Sequence, residues 1–381
     1  MPNALVASNG MQEMRIPVND LKRHFEATRG IIAPAIERVL ESGWYVLGGE
    51  GQAFEAEFAS YCGASACVGL ASGTDALELA LRAVGITAGS RVATVANAGF
   101  YTSTVLLAIG AVPVFVDVER ETHLMDPNAL AEVVAQGIDA VVVTHLYGRL
   151  CNMEVLRSIV SPHNIPLIED CAQAHGAILA GKRAGTSGNV AAFSFYPTKN
   201  LGAIGDGGAI VTNEPSIAKK IRLLRQYGWN PKYHVTVRGA RNSRLDELQA
   251  AVLLAKLPHL ERWNARRREI ATRYSKGLRN PKIHSPAIVG NENVAHLYVI
   301  VCEDRDSLRT HLAAAGVTSE IHFPVPDYRQ AVLATDRSWP VLPVTEWLSE
   351  RVVTLPCFPE LTDHEVDFVI SRVNEWQPCI P

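Results

Sequence analysis

A single lysine, Lys199, stands between a short apolar run and a glycine-rich turn. The apolar run covers residues 191–196, and a second one covers residues 209–211. The glycines between the lysine and the second run are Gly202, Gly205, Gly207 and Gly208. This order of a strand, a bend, a glycine-rich turn and a second strand predicts that the Lys199 amine is held at the wall of a cavity. Because a free lysine has a pKa of about 10.4, its surroundings must lower that pKa before the amine can act as nucleophile or base.

A second segment, residues 67–84, has the pattern of an anion-binding helix start. An apolar run ends in Ser72, Gly73 and Thr74, and a helical pattern begins at Asp75. Backbone N–H groups at a helix start, two hydroxyls and a glycine that admits close approach make a small anion site. A simple Ser/Thr helix cap is the alternative, and the segment alone does not separate the two interpretations.

An acidic residue, Asp170, ends the buried run that begins near residue 166, and Gln173 and His175 follow in the same loop. Ligands meet an open α/β sheet at the carboxyl ends of its strands, so Asp170 is either a functional carboxylate or a cap for the next turn. A lysine, a carboxylate and an anion cradle at strand ends are together what pyridoxal phosphate requires. The amine forms a Schiff base, the carboxylate keeps the pyridine nitrogen protonated, and the cradle binds the phosphate.

Short apolar runs alternate with helical patterns between residues 66 and 213. Because these runs lack polar alternation, we predict strands covered on both faces by helices, in a doubly wound, mostly parallel α/β sheet. The predicted strands are residues 92–95, 112–118, 140–144, 166–168, 190–195 and 209–211. The predicted helices between them include residues 128–136 and 152–160.

From residue 243 the pattern changes to a long helix that reaches about residue 278 and bends near Pro258. The later predicted features are a strand at 295–301, a helix at 306–315, a proline-rich passage at 323–343 and a capping box at Thr362 and Glu365. We therefore predict a large domain in residues 1–245, with an N-terminal arm and helix, and a smaller α+β domain in residues 246–381.

The composition argues against several classes of partner. The 36 basic and 39 acidic side chains give a net charge of −3, so no nucleic acid is expected to bind. No apolar stretch approaches the length of about 18 residues that a membrane helix needs, so no membrane is expected either. The seven cysteines contain no C-x-x-C pair, which favours buried thiols in a reducing cytoplasm and no metal site.

The order of several segments resembles the sugar-nucleotide aminotransferases, a family of fold-type I pyridoxal phosphate enzymes. The matching segments are IPVNDL (16–21), SGWYVLGGEGQAFEAEFASYCG (42–63), SGTDALELAL (72–81), IEDCAQAHGA (168–177), SFYPTKNLGAIGDGGAIVTN (194–213), RNSRLDELQAAVL (241–253) and LPCFPELTD (355–363). The resemblance runs nearly the whole length. It implies an aspartate aminotransferase-like fold, L-glutamate as the amino donor and a nucleotide-linked keto-deoxysugar as the acceptor.

The resemblance also implies a role for each matching residue. Lys199 corresponds to the Schiff-base lysine that shuttles the proton, Asp170 to the partner of the pyridinium nitrogen, and Gln173 to the group beside the ring hydroxyl. The residues that match the family's phosphate ligands are Gly73, Thr74 and Ser194.

Two further matches concern the subunit partner and the sugar. Asn242 corresponds to the asparagine that a neighbouring subunit supplies to the phosphate, which implies a homodimer with shared active sites. His322, in EIHFP, matches a position near the sugar; a histidine satisfied within a strand is the alternative.

One segment, VANAGFYTSTVLLAIGA at residues 95–111, departs from the family pattern. Most relatives place an aromatic residue there that stacks on the cofactor ring, and an ungapped comparison puts Gly99 at that position. We expect Tyr101 at the cofactor and Phe100 near the substrate; either ring could take over the stacking, or the cofactor is covered differently. The same segment, with AQAHGA, resembles the subgroup that aminates C3 of a dTDP-linked 3-keto-6-deoxyhexose.

Other functions remain open from the sequence. An aminotransferase for a C4 ketone or a cyclitol ketone is the alternative within the family, and a non-catalytic regulator that binds the cofactor is the alternative outside it. The related sugar 3-dehydratases replace the lysine with histidine, so Lys199 argues for transamination. A dehydrogenase is disfavoured because no G-x-G-x-x-G follows the first strand.

Overall fold

The computed structural model describes residues 15–287, 290–334 and 338–378. The predicted N-terminal arm begins in residues 1–14, which lie outside the described residues, as does Cys379. Within the three described ranges, no helix is both long and apolar enough to span a bilayer.

The strands form a large central sheet, a small sheet and a two-stranded ribbon. In chain order they are β1 (Ala66–Leu70), β2 (Arg91–Val95), β3 (Val112–Val116), β4 (Ala140–Thr144), β5 (Leu167–Asp170), β6 (Ile178–Leu179), β7 (Lys182–Arg183), β8 (Val190–Ser194), β9 (Gly208–Thr212), β10 (Ile283–His284), β11 (Tyr298–Cys302) and β12 (Val352–Leu355). The central sheet has the order β1-β9-β8-β5-β4-β2-β3. Within it β9 is antiparallel to both neighbours, and the remaining neighbouring pairs are parallel. The predicted mostly parallel sheet is confirmed.

Helices cover both faces of the central sheet. In chain order the α-helices are α1 (Leu21–Ser42), α2 (Gly49–Cys62), α3 (Gly73–Ala83), α4 (Tyr101–Ile109), α5 (Pro127–Ala135), α6 (Met153–Val160), α7 (Pro215–Leu224), α8 (Glu247–Lys256), α9 (Leu260–Gly277), α10 (Arg305–Ala314), α11 (Pro343–Arg351) and α12 (Asp363–Glu375). Along β8, Ala191 and Phe193 share an apolar cluster with α2 and α8, whereas Val190 and Ala192 share one with α3 and α7. Both faces of the strand are therefore buried, which explains why its sequence is apolar without alternation.

The second sheet is antiparallel and smaller, in the order β10-β11-β12. It packs with α9, α10 and α12 around a separate apolar cluster that includes Tyr274, Tyr298 and Val369. This region is the predicted smaller α+β part. The boundary between residues 245 and 246 stays a prediction; α8, which follows it, packs through Ala251 against Ala35 and Val39 of α1.

Most predicted elements differ from the observed ones by one to three residues at an end, and for two of them the structure gives the physical reason. The long helix of residues 243–278 is two helices, α8 and α9, joined by a 3₁₀ turn at Leu257–His259, because Pro258 has no N–H to continue the ladder. The strand predicted at 112–118 ends at Val116. The next residue, Asp117, instead accepts hydrogen bonds from the first turn of α11. The predicted capping box at the start of α12 is confirmed.

Candidate active site

The carboxyl ends of three parallel strands, β1, β5 and β8, meet at one edge of the central sheet. A cavity of about 230 Å³ lies at this edge. The predicted site residues that line it are Gly73, Thr74, Tyr101, Asp170, Ser194 and Lys199. Segments separated by about 130 residues of chain are thus brought together by strand order, as expected for a ligand site of an open α/β sheet.

The start of α3 forms the anion-binding side of this cavity. Ser72 caps the helix, and its Oγ accepts a hydrogen bond from the Asp75 N–H at 3.1 Å. Within the described residues, the N–H groups of Gly73 and Thr74 have no acceptor. A Cβ on Gly73 would lie 2.5 Å from Cβ of Ser194, so only glycine lets this serine approach the helix start. Two free N–H groups beside two hydroxyls at a helix N-terminus fit a phosphate.

The amine of Lys199 projects from a tight turn after β8. The turn is closed by a hydrogen bond from the Lys199 N–H to the Tyr196 carbonyl at 2.8 Å. Burial lowers the pKa of Lys199 to about 8, and the negative charge of Asp170 opposes this shift. Because no described residue accepts a hydrogen bond from Nζ, the amine is available to a ligand in the cavity.

The carboxylate of Asp170 is buried at the end of β5, with 6% of the residue exposed. One of its oxygens accepts a hydrogen bond from the Ala172 N–H at 3.0 Å. Burial raises the pKa of Asp170, opposed by this hydrogen bond and by the charge of Lys199. A buried carboxylate of this kind is stabilised by a cation, and the protonated nitrogen of a pyridine ring is such a cation.

A second carboxylate, Glu169, lies behind the cavity and is almost completely buried. Its oxygens accept hydrogen bonds from His145 at 2.9 Å and from the backbone N–H groups of Gly185, Ser187 and Gly188. Glu169, His145 and Cys171 are residues of types that can bind a metal ion, and their ligand atoms lie within 4.8 Å of one another. The carboxylate is already satisfied by four donors, which fits a structural role in holding β5.

A larger cavity of about 480 Å³ adjoins the first one. Lys199, Tyr101 and Tyr196 line both cavities. The predicted residues Gln173 and His322 line only the larger one. The amine of Lys199 therefore lies where two ligands could meet.

One hydrogen bond holds the Gln173 side chain, whereas the His322 ring lies between Thr354 and Glu320, whose carboxylate is 3.4 Å from Nε2. Oε1 of Gln173 accepts from the Tyr147 N–H at 2.6 Å, which leaves its amide NH₂ for a ligand. Nδ1 of His322 lies 2.8 Å from the hydroxyl of Thr354, and burial lowers the pKa of His322. The ring of His322 is therefore oriented from behind while the residue faces the larger cavity.

A further histidine of the larger cavity, His296, is absent from the sequence-based site. Its Nδ1 lies 2.9 Å from Oδ1 of Asn200, whose NH₂ group donates to Asn264 at 2.8 Å. Since Asn200 presents its oxygen, Nδ1 of His296 carries the proton and Nε2 is an acceptor. Burial holds the pKa of His296 well below its ordinary value. No feature of the sequence marks this histidine, because its partners come from distant segments.

Other lining residues are also absent from the sequence-based site, among them Tyr196, Asp206 and Phe323. Tyr196 and Asp206 could have been found, since both lie in the segment around Lys199. Phe323 follows His322 but reaches the cavity only through the packing of the smaller region.

Two predicted residues lie outside both cavities. Asn242 is exposed and pairs with Gln226 in a bridge. The ring of Phe100 packs against a cluster formed by Ala96, Phe115 and Tyr328, away from the expected substrate position.

Comparison with known proteins identifies this arrangement. Residues 28–374 match the model of the DegT/DnrJ/EryC1/StrS aminotransferase family. The chain is 44% identical to the erythromycin biosynthesis sensory transduction protein EryC1 of Saccharopolyspora erythraea, over 95% of this chain and 99% of that protein. It is 43% identical to the dTDP-3-amino-3,6-dideoxy-alpha-D-galactopyranose transaminase of Aneurinibacillus thermoaerophilus, over 95% of this chain and 99% of the relative.

A crystal structure of S. venezuelae DesV in complex with a ketimine intermediate has the same fold. It superposes with a TM-score of 0.92 at 42% identity, over 96% of this chain and 100% of that one. The predicted fold type and pyridoxal phosphate dependence are confirmed by the family and its solved structures. The chain belongs to the DegT/DnrJ/EryC1/StrS aminotransferase family.

Proposed function

We propose that the protein transfers an amino group from L-glutamate to C3 of a dTDP-linked 3-keto-6-deoxyhexose. The observation that carries this proposal is the position of Lys199, whose amine lines both a small cavity and an adjoining larger one. The small cavity has an anion cradle and a buried carboxylate, and the larger cavity has room for a sugar.

The small cavity fits pyridoxal phosphate. When bound, this cofactor supplies an aldehyde for amine exchange and a ring that accepts electrons. The N–H groups of Gly73 and Thr74, with the hydroxyl of Ser194, would hold its phosphate. Asp170 would balance a protonated ring nitrogen, and the NH₂ group of Gln173 would lie beside the ring hydroxyl.

The chain's own catalytic step is a proton transfer. Nζ of Lys199 takes the proton from Cα of L-glutamate and, in the reverse half-reaction, gives a proton to C3 of the sugar. A pKa of about 8 suits both directions near neutral pH, since neither the charged nor the neutral amine is strongly disfavoured. His322 and His296 line the larger cavity and would contact sugar hydroxyls.

The names of relatives support C3 of a dTDP-sugar over other ketones. The matching transaminase of Aneurinibacillus thermoaerophilus is named for a dTDP-linked 3-amino-3,6-dideoxyhexose. The test is a screen of dTDP- and UDP-linked 3-keto and 4-keto sugars with glutamate as donor. We expect the dTDP-linked 3-keto sugar to give the highest kcat/KM; a preference for a 4-keto sugar or for a UDP-linked sugar would reject the proposed acceptor.

A regulator without catalysis is the second candidate, since the EryC1 relative carries the name of a sensory transduction protein. Incubation with L-glutamate alone separates the two functions. An aminotransferase should lose the visible absorbance of the lysine-bound cofactor and release 2-oxoglutarate. A protein that only binds the cofactor should do neither.

We also propose a homodimer with shared active sites. Aromatic and aliphatic residues are exposed along residues 227–235, with Tyr233 74% and Val235 67% exposed. Asn242 follows this segment and lies outside the cavities of its own chain. A second subunit would cover this apolar surface. Asn242 of each subunit would then contact the cofactor phosphate bound in the other subunit.

Subunit complementation tests this arrangement. In the proposed dimer each active site takes Lys199 from one subunit and Asn242 from the other. Lys199→Ala removes the first of these contributions, and Asn242→Ala removes the second. Mixed dimers of the two variants contain one intact site, so a random mixture should recover about a quarter of the activity of the native dimer. No recovery after subunit exchange would show that each chain builds its own site. The cytoplasmic location stays a prediction, and we also propose a role in lipopolysaccharide O-antigen synthesis.

A further inference from the structure

The turn at residues 99–101 lacks the aromatic side chain expected at its first position. Gly99 and Phe100 both have positive φ, +82° and +71°, and Tyr101 then begins α4. Phe100, at the N-cap position, has no side chain that can cap the helix. A non-glycine residue in this conformation is strained, so another part of the protein must hold the turn.

Asp327, from the smaller region, supplies that support. Its carboxylate accepts hydrogen bonds from the Phe100 N–H at 3.0 Å and from the Ser103 hydroxyl at 2.5 Å. Its own N–H donates to the Ala96 carbonyl at 2.9 Å. Only 1% of Asp327 is exposed. One residue therefore holds the backbone of Phe100 and the side chain of Ser103, and attaches both sides of the turn to the smaller region.

Phe323 occupies the space beside Gly99. A Cβ on Gly99 would lie 2.7 Å from the ring of Phe323. The same ring contacts the Tyr101 ring edge to face, with centroids 6.2 Å apart. The backbone of the turn is thus held by Asp327, while the Tyr101 ring is supported by Phe323. Tyr101 is 55% exposed and lines both cavities.

We propose that Asp327 is a positioning residue of the active site, which holds the 99–101 turn so that Tyr101 faces the cofactor ring and the sugar. The inference rests on the proposed function, because it assigns a ligand to both cavities. Asp327 itself lines neither cavity, so its influence on a ligand must pass through the turn.

The test compares Asp327→Ala, Asp327→Asn and Tyr101→Ala in the full-length holoenzyme. The measured quantities are the dissociation constant of pyridoxal phosphate and the visible circular dichroism of the bound cofactor, which reports its orientation. Asp327→Ala should weaken cofactor binding by about five- to tenfold, the scale of a lost buried hydrogen bond, and should reduce the dichroism. Asp327→Asn keeps an oxygen for the Phe100 N–H and an amide for the Ser103 hydroxyl, so it should stay within about twofold of wild type.

A double-mutant cycle decides whether Asp327 acts through Tyr101. If it does, Asp327→Ala should change neither quantity further in a Tyr101→Ala background. Fully additive effects would overturn the proposal, as would an Asn variant as impaired as the Ala variant.

Asp117→Ala is the matched control for loss of a carboxylate that links the central sheet to the smaller region. Asp117 caps α11 through the N–H groups of Val344 and Thr345, at 3.0 and 2.9 Å, and also joins the central sheet to the smaller region. Its removal should lower the thermal stability without altering the dichroism of the cofactor. If both Asp→Ala variants changed the dichroism equally, the effect of Asp327 would be general destabilisation. A wild-type protein that bound no cofactor would instead refute the proposed function.

Discussion

Lys256 is buried and Lys199 is half-buried, and the two lysines differ in what surrounds the amine. Burial lowers the pKa of each to about 8, and a carboxylate opposes the shift in each case: Asp170 for Lys199 and Glu360 for Lys256. Nζ of Lys256 donates a hydrogen bond to the Gly202 carbonyl at 2.6 Å. Nζ of Lys199 makes no hydrogen bond to any described residue and lines two cavities.

A lowered pKa therefore does not by itself identify a catalytic lysine. Desolvation acts on both amines because both are removed from water. Only Lys199 combines the shift with an amine that a ligand can reach, whereas the Lys256 amine is used to hold the turn that carries Lys199. A perturbed pKa points to function when an accessible cavity accompanies it.

The largest expected effect is the loss of catalysis in Lys199→Ala. Removing the amine at the junction of the cavities should lower kcat by at least about 1,000-fold, since nucleophile and proton shuttle are lost together. Lys256→Met, the matched variant, should lower kcat by less than about tenfold because it only loosens the turn. Steady-state assays with glutamate and the ketosugar measure both. A Lys199→Ala variant with near wild-type activity would remove the basis of the comparison.

The two carboxylates beside the lysines should also differ. Asp170→Asn removes the charge that balances a protonated ring nitrogen, so the glutamate half-reaction should slow by about 100-fold while the cofactor stays bound. Glu360→Gln removes the charge near Lys256 and should change the rate by less than about threefold. Stopped-flow absorbance with glutamate measures the rates. Equal effects of the two substitutions would contradict an electronic role of Asp170.

The pKa of Lys199 predicts how cofactor capture depends on pH. The neutral amine is the nucleophile, so the rate at which the cofactor-free protein binds pyridoxal phosphate covalently should rise with pH and level off above about 8. Because the Asp170 charge raises the pKa of Lys199, Asp170→Asn should move this midpoint to lower pH. Rapid mixing at a series of pH values gives the profile. A midpoint near the ordinary lysine pKa would show that the amine is not desolvated.

The smallest effect concerns stability and involves Lys256. Its pKa in the folded protein, about 8, lies below the ordinary value of 10.5, so the unfolded chain binds more protons between these values. The free energy of unfolding should therefore rise with pH in this window, by up to about 1.4 kcal/mol per pH unit for this residue.

Lys256→Met should lose this part of the pH dependence. Denaturant unfolding of the cofactor-free protein at pH 8, 9 and 10 measures the slope of wild type and variant. Lys219→Met, at an exposed position, is the control for removing a solvated amine. The idea fails if the slopes of wild type and Lys256→Met coincide.

Much of the fold could be predicted from local patterns. The non-alternating apolar runs indicated a sheet buried on both faces, and the capping residues at Ser72 and Thr362 marked helix starts that the structure has. Element ends were less accurate. The predicted strand ends before Asp117, because the Asp117 carboxylate accepts a hydrogen bond from the first turn of α11. That helix lies more than 220 residues later in the chain, so no local pattern reveals the contact.

The chemical part of the site was also visible in the sequence. Lys199, Asp170 and the Ser72–Thr74 segment carry local signals, because a lysine on a glycine-rich turn, an acid at a strand end and a hydroxyl-glycine helix start are properties of short stretches. The roles of Asn242, Phe100, Tyr101 and His322 came from the resemblance alone. Asn242 and Phe100 lie outside both cavities, and the proposed homodimer would account for the position of Asn242.

The amino-acid sequence by itself determined which groups are present and which strands and helices carry them, since hydrophobic periodicity and capping act over a few residues. The tertiary structure alone decided which lysine is accessible, which tautomer His296 adopts and how Asp327 holds the turn of Tyr101. These properties depend on desolvation and on hydrogen bonds between segments far apart in the chain, and both arise only when the sheet and the smaller region pack together.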